Sequence, residues 1–339
     1  MSPTEIRFTP ARAAAILLGL GLLTALAFLA SVSFGEFPLS LAKALAHPAS
    51  TDGRVLLELR LPRALLAALV GTALGASGCA LQALLRNPLA DPFILGVSGG
   101  AALGATLAIA LGVSAVAQLA APSLFAFLGA IGATALVFAA GRSRGQSSPY
   151  AALLTGVIFN AFAAAAITCV KTLSAPDKVG ELLYWLAGTL GYEKLSTLGF
   201  AAALQLVAVG TLWFESGRLN LLTLGDEDAA SLGVPVERTR VVLLLAASLS
   251  VAGAVALSGL VGFVGLIVPH VLRLWLGPDQ RLLLPASAVG GAAFLLLADL
   301  CTRLLFPIFH AEPPVGVLTA VLGGPFFLWL LRRREARLV

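Results

Sequence analysis

The chain has 339 residues, of which 59% are hydrophobic and only 12% charged, with a formal net charge of +5 and a mean hydropathy of +0.96. This composition lies outside that of soluble globular domains and reads as a polytopic membrane protein; the basic excess then reports orientation rather than an acidic or nucleic-acid partner. The 35 glycines, many alanines and few aromatics suit helices that approach closely through small residues.

Spans are read from uncharged runs bounded by charge, Pro or Gly clusters. The first, Ala13 to Phe34, follows Arg7 and Arg12 but is longer than a secretory h-region, so it reads as a retained span. An amphipathic connection through Lys43, Asp52, Arg54 and Glu58 leads to the second, Leu61 to Leu85. Next comes a polar break, Arg86-Asn87-Pro88-Leu89-Ala90-Asp91-Pro92, whose prolines stop helices and whose backbone must sit where protein or water solvates it. The uncharged run from Phe93 to Gly141 is too long for one helix and divides into a short third span, Ile94 to Leu111, and a fourth, Ser123 to Ala140, with a turn in Gly112 to Pro122.

A polar loop, Arg142 to Ser148, precedes the fifth span at Tyr150 to Val170. The segment GELLYWLAGTL before Gly191 is too short to cross a bilayer and reads as interfacial or re-entrant. The sixth span, Leu195 to Phe214, is followed by a polar interruption, Glu215 to Arg240, with too much helix-period apolar content for a floppy linker. A seventh span ends near Leu257, a Gly-rich bend follows, and a short eighth runs from Leu260 to Leu276. Leu282 to Phe306 and Val315 to Leu331 are the ninth and tenth.

The fold class is therefore all-α, with about ten transmembrane helices in a single domain covering 1–339. With a cytoplasmic N-terminus, all but eight of the 22 Lys and Arg fall inside, the exceptions being Lys43, Arg54, Arg60, Arg63, Lys171, Lys178, Lys194 and Arg303. Both termini are expected in the cytoplasm. Spans 2–5 and 7–10 share one hydropathy pattern, and their five-span offset reverses direction, which predicts an inverted repeat.

Chemistry is sparse. No GxxxxGK[ST] pattern occurs, so the chain is not expected to hydrolyse ATP. His47, His270 and His310 lack metal-ligand spacing, and His270 beside Pro269 is expected to bond a freed carbonyl. Cys79, Cys169 and Cys301 form no CxxC and read as buried small hydrophobes. Asp299, the ionisable residue inside a span, lies four before Arg303 on the same face and reads as a neutralised pair. The cluster Asp226-Glu227-Asp228 admits two readings, complementing a helix dipole or docking another protein.

The blocks RLPRALLAALVGTALGASGCALQALLRNPLADPFILGVSGGAALGA from Arg60, LGDEDAASLGV from Leu224, SGLVGFVGLIVPHVLRLWLGPDQRLLLPASAVGGAAFLLLADLCTR from Ser258 and PPVGVLTAVLGGPFFLWLL from Pro313 closely resemble the permease subunits of iron-siderophore, haem and cobalamin ABC importers. The resemblance covers nearly everything after the first span. It implies a homodimer with the pathway between two copies, two cytoplasmic ATPase subunits that bind ATP and Mg, a periplasmic or lipoprotein binding protein, and a bacterial or archaeal inner membrane. By the same resemblance, 215–240 is a cytoplasmic coupling loop in which Leu224, Gly225, Asp226, Glu227, Asp228 and Leu232 meet the ATPase. Arg60, Arg63 and Arg303 match positions that receive the binding protein, Asn87 and Leu89 match a cytoplasmic gate, and Ser147 and Ser148 match a second gate. Trp185 to Leu190 resembles the family's WLMGSL re-entrant segment, with Ala187 in place of Met.

The resulting reading is a transport subunit without a catalytic residue, cofactor or metal of its own, whose cargo is an iron complex or cobalamin. The alternative is a self-contained secondary transporter or channel, favoured by inverted repeats but short of intramembrane charges.

Overall fold

Prolines and left-handed residues divide the apolar runs at the places where the sequence carries its polar breaks. The computed structural model describes residues 10–36, 38–113, 121–140, 142–143, 146–147 and 149–335. In chain order, α1 spans Pro10–Ser33, and short helices α2 (Leu41–Ala46) and α3 (Thr51–Arg54) are capped by Ser40 and Ser50. One π turn, Val55–Arg60, joins α3 without interruption to α4, Leu61–Leu84. The amphipathic connection is thus largely an extension of the second span.

After the break, a 3-10 turn at Pro92–Leu95 enters α5 (Val97–Ala110), then α6 (Ala121–Ala140), a two-residue hairpin of β1 (Arg142–Ser143) and β2 (Gln146–Ser147), and α7 (Pro149–Leu173). The short segment before Gly191 is helical only in its first part, as α8, Pro176–Leu186, which begins earlier at Pro176 and is capped by Ala187 before the left-handed Gly188. Next are α9 (Leu195–Phe214), α10 (Ser216–Leu222), α11 (Asp226–Ser231), α12 (Val236–Ser258), α13 (Val264–Leu276), α14 (Gln280–Leu304), α15 (Phe306–Phe309) and α16 (Val315–Glu335). Among the described residues seven helices are long and apolar enough to cross a membrane, and α5, α13 and Val315–Leu328 of α16 are shorter apolar helices. Together they fall on the ten predicted segments.

Helix α4 is the centre of the bundle. Its most apolar window is 78% buried, against 6% for α1 and 11% for α7. Around it pack α9, α12, α13 and α14. The leucines and phenylalanines left exposed on α1 and α7 suit lipid or a partner helix rather than water.

The packing carries the repeat. Exchanging α4 with α12, α5 with α13, α6 with α14 and α7 with α16 turns α4–α14 contact into α12–α6, α4–α13 into α12–α5, α5–α6 into α13–α14, and α6–α7 into α14–α16. The α5–α7 contact has its counterpart in His270 of α13 against Phe327 of α16, with ring centroids 6.2 Å apart. A mutual exchange of this kind is what a two-fold axis produces. The break after α4 lies beside the start of α12, where Asp226 bridges Arg86 and Arg240, so the break that follows α12 lies at the other end of the bundle.

Polar groups inside the bundle are paired across helices. Pro269 removes the N–H that would bond the Gly265 carbonyl; Gln82 Nε2 donates to that oxygen and to Leu266 O, each at 3.2 Å. Gln82 on the neighbouring helix, which the sequence does not single out, thus bonds the carbonyl that Pro269 frees. Ser250 Oγ donates to Gln205 Oε1 at 2.6 Å while Gln205 Nε2 donates to Ser250 O at 2.9 Å, joining α12 to α9. Of the cysteines, only Cys79 is buried; the expectation of burial is corrected for Cys169 and Cys301, which are exposed on their helices because an apolar run carries residues on its outward face as well as its inward one.

Candidate functional site

At one end, α4 and α14 pack side by side and bring their arginines together. Arg63 Nε lies 2.9 Å from Asp299 Oδ1, and its Nη2 2.8 Å from Glu312 Oε2. Arg303 Nε stands 3.1 Å from the other oxygen of Asp299. The last carbonyls of α1 lack helical partners, and cationic side chains supply them. Arg303 Nη1 donates to Ser31 O at 2.9 Å and Phe34 O at 3.1 Å, and its Nη2 to Ser31 Oγ at 2.6 Å. Arg60 Nη1 donates to Val32 O and Ser33 O.

Thus Arg60, Arg63 and Arg303 do converge, but they are only 7%, 8% and 4% exposed and each has partners within the chain. They form the floor of an open depression of about 250 Å³, walled by Gly35, Glu36, Tyr192 and Glu312. The local reading of Asp299 with Arg303 holds; Arg63, Glu312 and Ser31 complete the cluster and were not foreseen. Their only trace in the sequence is that Ser31, Glu36 and Glu312 are polar residues beside span ends.

Burial, followed by the neighbouring Glu312 carboxylate, pushes the Glu36 carboxyl above its usual range. A carboxyl raised on folding binds more protons in the folded than in the unfolded state. Stability should therefore fall as pH rises from the unfolded value of 4.5 to the raised folded one, and level off above it. Melting of the detergent-solubilised protein across this window is expected to show that slope, and Glu36→Gln should flatten it; equal slopes would contradict the assignment.

At the opposite end, α4 stops in a Schellman turn. Arg86 takes the left-handed position with φ 49°, its N–H bonds Ala83 O at 3.1 Å, and Asn87 N bonds Gln82 O at 3.0 Å. Asn87 Oδ1 then accepts from Leu89 N at 2.9 Å, which folds the Asn-Pro-Leu turn on itself. Asn87 and Leu89 are both exposed. Of the second gate, Ser147 is described in its backbone alone, as part of β2, and Ser148 lies outside the described residues.

Beside this turn sits the acidic loop. Leu219 and Leu222 of α10, with Ala229 and Val234, are buried and anchor it. Asn220 fixes α10 to the start of α14: its Nδ2 donates to Asp279 Oδ1 at 2.7 Å and its Oδ1 accepts from Gln280 N at 2.8 Å. Gly225, at φ 142°, makes the corner into α11 in a conformation L side chains rarely adopt. The result projects Leu224 and Leu232, 62% and 59% exposed, on either side of the exposed Glu227 and Asp228. Asp226 differs from its neighbours, being bridged by Arg86 at 2.7 Å and Arg240 at 2.6 Å. Among the described residues no group of His, Cys, Asp and Glu could hold a metal ion.

The model of the FecCD transport family matches residues 23–333. The chain is 42% identical over 314 residues to the hemin transport system permease protein HmuU of Yersinia pestis, covering 91% of this chain and 93% of that protein. It is 45% identical over 281 residues to the cobalamin import system permease protein BtuC of Halobacterium salinarum, covering 82% and 73% respectively. A solved structure described as an inward-facing metal-chelate type ABC transporter superposes with a TM-score of 0.84 at 34% identity, covering 94% of this chain and 99% of that one.

Proposed function

The chain belongs to the FecCD transport family and is a permease subunit of an ABC importer, and on that premise we propose that its two ends divide the work of transport. The end bearing Leu224, Gly225, Asp226, Glu227, Asp228 and Leu232 docks a cytoplasmic ATPase, which supplies ATP and Mg chemistry that this chain does not. The arrangement that carries this reading is the pair of exposed leucines flanking an acidic turn, held rigidly from below and adjoining the Asn87–Leu89 turn. Exposed apolar anchors beside charge are the usual makings of a protein interface. Asn87 and Leu89, with Ser147 and Ser148, constrict the pathway on that side.

The opposite end receives an acidic binding protein at Arg60, Arg63 and Arg303. Because those arginines already have partners, an incoming carboxylate exchanges with one of them; Glu312, 23% exposed, is more accessible than the fully buried Asp299. The whole chain is one permease domain with 215–240 as its coupling loop. It works as a homodimer with two ATPases in a bacterial or archaeal inner membrane, with both termini on the ATPase side. Its cargo is an iron-siderophore complex, haem or cobalamin, the chemistries of the relatives. The secondary-transporter alternative needs an accessible ionisable group in the membrane, whereas Asp299 is locked between two arginines.

Converting Leu224 and Leu232 together to Asp is expected to remove the ATPase from the purified complex and lower ATP-driven uptake about tenfold or more, since interface anchors of this kind dominate binding. Retained ATPase in pull-down, with uptake of haemin, ferric siderophore and cobalamin unaltered, would overturn the docking reading.

A further inference from the structure

The turn that ends α4 and the loop that carries α11 are joined through one carboxylate. Arg86 Nη2 donates to Asp226 Oδ1 at 2.7 Å and Arg86 Nε donates to Leu222 O at 3.0 Å. The second oxygen of Asp226 accepts from Arg240 Nη2 at 2.6 Å. Arg240 is the fifth residue of α12 and has a side chain only 8% exposed, which makes it the fixed end of the chain of contacts. Arg86 and Asp226 side chains are 45% and 51% exposed, which makes them the adjustable end.

Exposed pairs of this kind contribute little to folding. The left-handed position of a Schellman turn also favours glycine over a long side chain. What Arg86 gains from occupying it is reach: its backbone shapes the Asn87–Leu89 turn while its side chain grips both the last turn of α10 and the first residue of α11.

We propose that Arg86 is a positioning residue for transport, delivering the position of the exposed Leu224–Leu232 surface through Asp226 to the Asn87–Leu89 turn. The proposal rests on the docking reading above. When the ATPase moves that surface, α11 carries Asp226 with it, and Arg86 draws the turn along, while Arg240 limits the stroke against α12. Burial acts to raise the Asp226 carboxyl, but Arg240 and Arg86 together outweigh it and hold it below the ordinary carboxylate range, so the link stays ionised at neutral pH.

The test uses the full chain assembled with its ATPase, with Cys169→Ser and Cys301→Ser to remove the exposed thiols and Leu89→Cys as reporter. The probe is a membrane-impermeant maleimide, and the readout is the ratio of labelling rates with and without ATP. Adding Arg86→Ala is expected to shrink that ratio about threefold or more while the amount of co-purified ATPase stays the same. Arg86→Lys should keep part of the response, since an ammonium can reach Asp226 but cannot also hold Leu222 O.

An unchanged ratio in Arg86→Ala would overturn the proposal, as would a parent protein whose labelling ignores ATP. Loss of folding or of ATPase from Arg86→Ala would assign the residue a structural role and overturn it equally. The docking reading fails separately, through ATPase retained when Leu224 and Leu232 are both Asp.

Discussion

Asp299→Ala is expected to cost about 3–5 kcal/mol of stability, the penalty for removing one member of a buried ionic cluster. Asp299 is fully buried between Arg63 at 2.9 Å and Arg303 at 3.1 Å. Without it, Arg63 keeps Glu312, but Arg303 retains as direct partners only the Ser31 and Phe34 oxygens, which are dipoles, with Glu312 and Glu36 as more distant counter-charges. A guanidinium cannot shed its proton to escape, so the charge stays buried. Glu312→Gln makes the comparison: its side chain is 23% exposed and Arg63 keeps Asp299, so the loss should stay within about 1 kcal/mol. Thermal unfolding of both variants in the same detergent decides it. Equal melting temperatures would mean that the cluster is hydrated and its charges need no partner.

The same cluster marks where sequence reasoning stops. Asp299 and Arg303 are neighbours on one helix turn, so their pairing follows from spacing alone. Arg63 is 236 residues from Asp299, and only the packing of α4 on α14 brings it there. The acidic turn behaves alike: its exposure and its Gly225 corner are local, but Asp226 is singled out from Glu227 and Asp228 by arginines on two other segments. Helix positions were legible because uncharged length and proline are local properties; α9 runs over Leu195–Phe214 as expected. Helix α12 starts at Val236, inside the polar interruption that runs to Arg240, because a helix can carry Glu237 and Arg240 in opening turns that lie beyond the apolar layer. The shape of the packing repeat needed the structure, since the two halves share pattern rather than residues.

Gly71→Val should abolish folding, an effect larger than any charge change in the chain. Gly71 and Gly75 are one helical turn apart on α4, and they face Gly291 and Ser287 on α14, so two small-residue ridges lie backbone against backbone. A Cβ on Gly71 would overlap the Gly291 carbonyl oxygen and lie 2.7 Å from its carbon and 2.9 Å from Ala292 Cα. On Gly75 it would overlap Ser287 O and lie 3.0 Å from that carbonyl carbon. These are backbone atoms, so relief requires moving α14, and α14 holds α1 through Arg303 and Thr24 and carries Asp299. Even Gly71→Ala should lose about 3 kcal/mol or more, at or beyond the upper end of ordinary overpacking. Gly132→Ala and Gly210→Ala, where nothing lies within 4 Å of the new methyl, should be neutral or gain about 0.5–1 kcal/mol from helix propensity. Monodisperse yield and melting temperature of the four variants measure the contrast; a Gly71→Ala protein as stable as Gly132→Ala would mean that α4 and α14 do not touch. The consequence reaches both ends of the transporter, because α4 begins at Arg60 and Arg63 and ends at the Arg86–Asn87 turn. A side chain wedged at Gly71 therefore displaces the arginine floor and the gate turn together.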